Sequence, residues 1–186
     1  MRILIAALLG AIAMFIWMAI AHTVTPLGTT GFSQIPNEGP VMSAMQTAMG
    51  DHAGLYFYPW VDPKDPKMSE QMVAAEKAGP HGLLVYNPAG QNLDADMMPM
   101  LVKEFAKQFV QALIAAWIAS MIMGGFTTRW LAVTGMFVSS AIAVNVSYWN
   151  WYHFPLDFTL AAIIMEVVSG IVAGAAIAWW LGRGTA

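Results

Sequence analysis

One carboxylate lies where carboxylates are rare. Glu166, in AAIIMEVVSGIVAGAA, falls about nine residues inside a long apolar run, roughly 13 Å deep at ~1.5 Å per helical residue. Ionisable groups at such depth mark ion pathways, proton relays or buried counter-charges by default. Ala162, Glu166, Gly170 and Gly174 recur every four residues and therefore share one helical face. Gly170 and Gly174 also form a G-x-x-x-G, the spacing that permits close helix approach. Glu166 is thus expected to point into a helix interface, away from lipid. An earlier apolar run supplies a matching stripe, Glu104, Gln108 and Gln111, with Gln111 at similar depth. A hydrogen-bonded Glu166–Gln111 pair serving as structural glue is the favoured chemistry; a proton or cation relay is the alternative.

Imidazoles and thioethers offer a second chemistry. His52 and His81 occupy equivalent places in two similar stretches, and eight methionines (42, 45, 49, 68, 72, 97, 98 and 100) lie between the first two apolar runs. Such ligands suit copper(I). However, Met45 with Met49, and Met68 with Met72, are i, i+4 pairs of the kind that fill cores; Met-x-x-Met occurs only at the separate places 42–45 and 97–100, and no His-x-His occurs. The expectation is no metal and no cofactor. No cysteine is present, which excludes thiol nucleophiles, disulfides and Cys-based metal centres.

The third feature is YWNWYHFPLD at 148–157. Tyr148, Trp149, Trp151, Tyr152, His153 and Phe154 precede Pro155, and the stretch reads as a loop between two apolar runs. Trp and Tyr favour the depth between headgroups and hydrocarbon, with Trp130 and the pair Trp179–Trp180 marking the opposite face. The density of rings also suits burial against an outer domain or an anchor patch for another subunit.

These residues must be positioned by an unusually apolar chain: 58% of its 186 residues are hydrophobic and 10% are charged. The excess gathers in runs at 3–21, about 105–123, 130–147 and 158–181, each near the ~20 residues that span a bilayer. The first run exceeds a signal-peptide core and is read as an uncleaved anchor. Arg2, Arg129 and Arg183 fall at one end of a four-helix arrangement, and all five lysines fall toward the other. Arginine bias places both termini in the cytoplasm and 23–102 on the periplasmic side. Residues 23–102 carry eight acids and three lysines, a net charge of −5, which disfavours nucleic acid as a partner.

Within that segment, VMSAMQTAMGDHAGLYFYP (41–59) and MSEQMVAAEKAGPHGLLVYNP (68–88) share one order: a helical pattern, a Gly break, His, Gly-Leu, a short β-prone run, Tyr and Pro. An α-β-α-β unit follows, its strands expected to pair in parallel because a helix connects them. From about 93 onward one helix is expected to run into the second apolar stretch, with Asp94 as its N-cap and Pro99 in its first turns.

GLYFYP, GLLVYNP and YWNWYHFP followed by a last apolar run resemble a set of small, uncharacterised bacterial inner-membrane proteins. The similarity covers most of the chain from about residue 40 and implies an inner-membrane location but no particular activity. The fold expected is mainly α: a four-transmembrane-helix bundle with a small α/β extracytoplasmic domain between helices 1 and 2. Its divisions are 1–22 for the first helix, 23–102 for the outer domain and 103–182 for helices 2–4. The expected role is a non-catalytic accessory or assembly subunit of a larger bacterial membrane complex, respiratory or photosynthetic in kind. Its partners would be other membrane subunits or further copies of itself, within the lipid bilayer. A small transporter built on Glu166 is the alternative, and a periplasmic copper-binding module ranks third.

Overall fold

The computed structural model describes residues 1–183, and the chain divides into two units: 1–32 with 93–186, and 33–92. The first unit packs four long helices, α1 (Arg2–Thr23), α4 (Leu93–Met121), α5 (Phe126–Tyr152) and α6 (Leu156–Gly182). Among the described residues, three of these, α1, α5 and α6, are long and apolar enough to cross a membrane. Helix α4 has the length, but Glu104, Lys107, Gln108 and Gln111 crowd its middle.

Helix α6 is the hub, packing along both α5 and α1, while α4 packs mainly on α1. Small residues make these seams tight. Ala6, Ala7 and Ala11 of α1 and Ala112, Ala115, Ala116 and Ala119 of α4 are buried. A Cβ on Gly10 would lie 3.0 Å from Ile177 and 3.3 Å from Ala112, so three helices meet there and a methyl group would fit only if Ile177 gave way. Between apolar helices in lipid, association rests on this close packing and on interhelical hydrogen bonds. Trp17 Nε1 of α1 donates to the Met165 carbonyl of α6 at 2.9 Å. Arg2 Nη2 donates to the carbonyls of Leu181 and Arg183, both at 2.8 Å. A helix leaves its last four carbonyls unsatisfied and its C-terminus partly negative, so the first helix cation closes the end of the last helix. Arg183 itself lies over the Trp179 ring, 3.8 Å from the centroid.

The second unit contains α2 (Glu38–Met49), β1 (Gly54–Tyr58), α3 (Met68–Ala78) and β2 (Gly82–Tyr86). The α-β-α-β order is as the repeat implies, but the strands pair antiparallel, with Gly54 opposite Tyr86 and Tyr58 opposite Gly82. The expected parallel pairing is thereby corrected. Its premise was that a helix between strands carries the chain back along the sheet. Here residues 59–67 and α3 together return the chain to the end of β1 that it left, so β2 begins opposite Tyr58.

Two smaller corrections concern the long helices. Asp94 lies inside the first turn of α4, where its charge suits the helix dipole, and is not the cap. The aromatic stretch is not a loop: α5 continues through Tyr152, and only His153, Phe154 and Pro155 separate it from α6. His153 takes the left-handed conformation at φ 55°, and its N–H bonds the Tyr148 carbonyl. This is the usual geometry for ending a helix sharply.

Candidate functional site

The structure brings Glu166 and Gln111 together. Both are half-buried, and Gln111 Nε2 donates to Glu166 Oε1 at 2.9 Å, linking α4 to α6. The rest of the α4 stripe stays on its own helix. Glu104 Oε1 accepts from Lys107 at 2.7 Å and from Gln108 Nε2 at 3.1 Å. Gln108 is 1% exposed, and its Oε1 has no hydrogen-bond partner. Up the α4 stripe one carboxyl, Glu104, is followed by two amides, Gln108 and Gln111, and amides donate and accept without titrating. As drawn, the Glu166–Gln111 pair is a cross-link between helices.

Gly170 and Gly174 share the Glu166 stripe but serve a different neighbour. A Cβ on Gly170 would lie 2.4 Å from Phe137 Cβ, and one on Gly174 would lie 3.1 Å from the Trp130 carbonyl oxygen, both on α5. This close approach lets α5 side chains reach α6 main-chain carbonyls. Trp130 Nε1 donates to Ile171 O at 3.0 Å, and Thr134 Oγ1 to Gly170 O at 3.5 Å. Near the inner face of this arrangement, Gln111 borders a cleft of about 100 Å³ between α4 and α5, lined also by Ile114, Ala115, Met136, Phe137 and Ser140.

The aromatic run separates into two groups because a helix points successive side chains around its axis. Tyr148, Tyr152 and Phe154 join a ladder: Tyr148 lies 5.8 Å from Tyr152 and stacks on Phe154 at 5.2 Å, and Phe154 meets Phe158 at 5.5 Å. Phe158 also takes the edge of Phe32 at 5.5 Å. Ring contacts of this kind contribute about 0.5–1.5 kcal/mol beyond burial, and here they fix the α5–α6 corner. Trp149 and Trp151 join none of these contacts; Trp151 is 73% exposed, whereas Trp149 at 44% matches Tyr148 at 43%. His153 is the hinge residue of the corner.

The histidines do not converge. His52 precedes β1 and His81 precedes β2, so antiparallel pairing sets them at opposite ends of the sheet. Strands of this length put roughly 14 Å between those ends, too far for one ion to be shared. Among the described residues, no three His, Asp or Glu side chains gather as a metal site.

A feature the sequence reading missed lies on the sheet. Register pairs Leu55 with Val85 and Phe57 with Leu83, and alternation puts all four on one face. Leu55 is 68% exposed and Val85 80%. The other face holds Tyr86, whose hydroxyl donates to Gly50 O at 3.0 Å and which is the only buried side chain among residues 33–92. The apolar content of both strands was visible in the sequence, but which positions share a face depended on the register. No family model, curated protein or solved structure matches this chain.

Proposed function

We propose that the chain is a non-catalytic accessory or assembly subunit of a larger membrane complex, respiratory or photosynthetic in kind, in a bacterial inner membrane. The observation that carries this reading is the apolar sheet face on which Leu55 and Val85 are exposed beside half-buried Phe57 and Leu83, on a unit with one buried side chain. A two-stranded sheet is marginal alone, and its open edges and apolar face favour pairing with another chain. The occupant that fits is a neighbouring subunit of the same complex. Similarity in the three motifs to the small inner-membrane set is part of this proposal.

A second reading, a small transporter, is favoured by the half-buried Glu166 beside the cleft at Gln111. One experiment separates the two. Purification from native membranes in mild detergent is expected to yield a defined, stoichiometric membrane partner with the parent chain and with Glu166→Gln. The same partner should be lost with Leu55→Ser/Val85→Ser, both exposed positions where substitution costs the fold little. A parent chain that purifies alone and passes protons or cations in vesicles, with flux abolished in Glu166→Gln, would overturn the accessory role.

We further propose that α4 crosses with the other three helices, with 33–92 periplasmic and the arginine-bearing end in the cytoplasm. The support is the segregation of Arg2, Arg129 and Arg183 from the acids and lysines, the bias that orients short loops. A thiol introduced at Lys64 should react with an impermeant reagent from the periplasmic side. One at Thr185, which lies outside the described residues, should react only after the membrane is opened. The reverse pattern would invert the topology.

A further inference from the structure

The arginine-bearing end of the bundle contains a cleft of about 310 Å³, lined by Arg2, Ile3, Ser120, Arg129 and Leu181. All four long helices border it: α1, α4, α5 and α6 each contribute. Two guanidinium groups lining one cleft repel each other, yet among the described residues no acidic side chain lines it with them. Residues 1–37, 105–156 and 167–186 contain no Asp or Glu, and among the described residues the one ion pair is Lys107–Glu104, far up α4. Both guanidiniums are held by main-chain carbonyls and keep donors in reserve. Arg2 uses Nη2 on Leu181 O and Arg183 O, which leaves Nε and Nη1. Arg129 uses Nε on Ile122 O at 3.4 Å, which leaves both Nη groups. Ser120 Oγ already donates to Trp117 O at 2.6 Å, so recognition of an anion falls to the arginines. Their planar forks match phosphate oxygens.

A second observation says what the anion carries. Helices α4 and α5 touch only sparingly, and the seam between them holds the smaller cleft of about 100 Å³ lined by Ile114, Ala115, Met136 and Phe137. The two clefts lie along the same pair of helices. From Ser120 to Ala115 on α4, and from Arg129 to Met136 on α5, the climb is roughly 8–11 Å at ~1.5 Å per residue. A cationic cleft at one end of a bundle and an apolar seam rising from it have the shape of a phosphate head and a hydrocarbon tail. We propose that this end of the bundle is a binding site for an anionic phospholipid, its phosphate between Arg2 and Arg129 and one acyl chain in the α4–α5 seam. Basic pockets between membrane helices recognise anionic headgroups in this way. The site is independent of the accessory role.

The test uses the full chain, purified in mild detergent and returned to vesicles of defined composition, with bound lipid counted by native mass spectrometry. Phosphatidylglycerol should be retained at least about tenfold more than phosphatidylcholine of the same chains. Arg129→Gln should lower that preference about fivefold, the factor corresponding to the roughly 1 kcal/mol a basic residue supplies near a charged headgroup. Arg129 is the variant of choice because Arg2 also closes α6; an unchanged tryptophan emission spectrum and elution volume will show that Arg129→Gln folds. Ser140→Phe, at an exposed position lining the seam, should weaken phosphatidylglycerol retention while leaving any binding of inorganic phosphate untouched. Equal retention of the two lipids overturns the proposal, as does an unchanged preference in folded Arg129→Gln. Displacement of phosphatidylglycerol by millimolar inorganic phosphate would overturn it in favour of a free anion.

Discussion

Gly31→Ala is expected to destabilise the helical unit by about 2–5 kcal/mol, although the change removes no contact. Two costs add. Gly31 has φ +83°, where an L residue loses about 1–2 kcal/mol to Cβ–carbonyl crowding. Its new Cβ would also lie 2.3 Å from Phe158 Cβ, 2.7 Å from Phe158 Cα and 2.8 Å from Phe158 N. Two of those atoms are main chain in the first turn of α6, so no side-chain rotation relieves the overlap, and overpacking adds about 1–3 kcal/mol. The comparison is Phe32→Ala, which deletes the ring that meets Phe158 edge-on and forfeits about 0.5–1.5 kcal/mol of ring contact. Thermal unfolding in detergent should rank Gly31→Ala well below Phe32→Ala. The opposite order would mean that the 31–32 segment does not pack on α6 as described.

The second large effect pits two glycines on adjoining helices against each other. Gly170→Ala should cost about 1–3 kcal/mol, because the methyl group would lie 2.4 Å from Phe137 Cβ and 2.8 Å from Phe137 Cγ. Gly135→Ala should instead stabilise by about 0.5–1 kcal/mol, since nothing lies within 4 Å of its added Cβ and glycine is a poor helix former. The background at Phe137 sharpens the test. In Phe137→Ala the Cβ remains, so Gly170→Ala should still destabilise. In Phe137→Gly the obstacle is gone, and the same change should become neutral or favourable. A Gly170→Ala protein as stable as the parent would remove the argument for a tight α5–α6 seam.

The contact between Gln111 and Glu166 was legible because both helices repeat at known spacing and each polar group falls at a comparable depth. Period alone chose the face, and hydrogen-bonding capacity chose the pair. The partner of the G-x-x-x-G was not legible: spacing shows that something approaches Gly170, but Phe137 enters only through tertiary placement. At 148–152 the eye was misled by composition. The rings and Pro155 suggested a loop, yet no residue from Tyr148 to Tyr152 breaks a helix, and proline is well tolerated just ahead of the next one. The strand pairing failed for another reason. A helix between two β-prone runs suggested a crossover, but the Pro-rich stretch 59–67 also has length, and together with α3 it returns the chain to the end of β1 that it left. The apolar sheet face depended on that register and so could not be read beforehand.

The clasp between the first and last helices bears on the order in which the chain is made. Helix α1 leaves the ribosome first, but the carbonyls that receive Trp17 and Arg2 belong to α6, the last helix synthesised. Throughout translation the nascent protein therefore carries an indole N–H and a guanidinium with no acceptor of its own, and an α5 whose main neighbour does not yet exist. A chain that stops before residue 156 lacks the Met165 and Leu181 acceptors and the main neighbour of α5, so the last helix made completes the packing of the first.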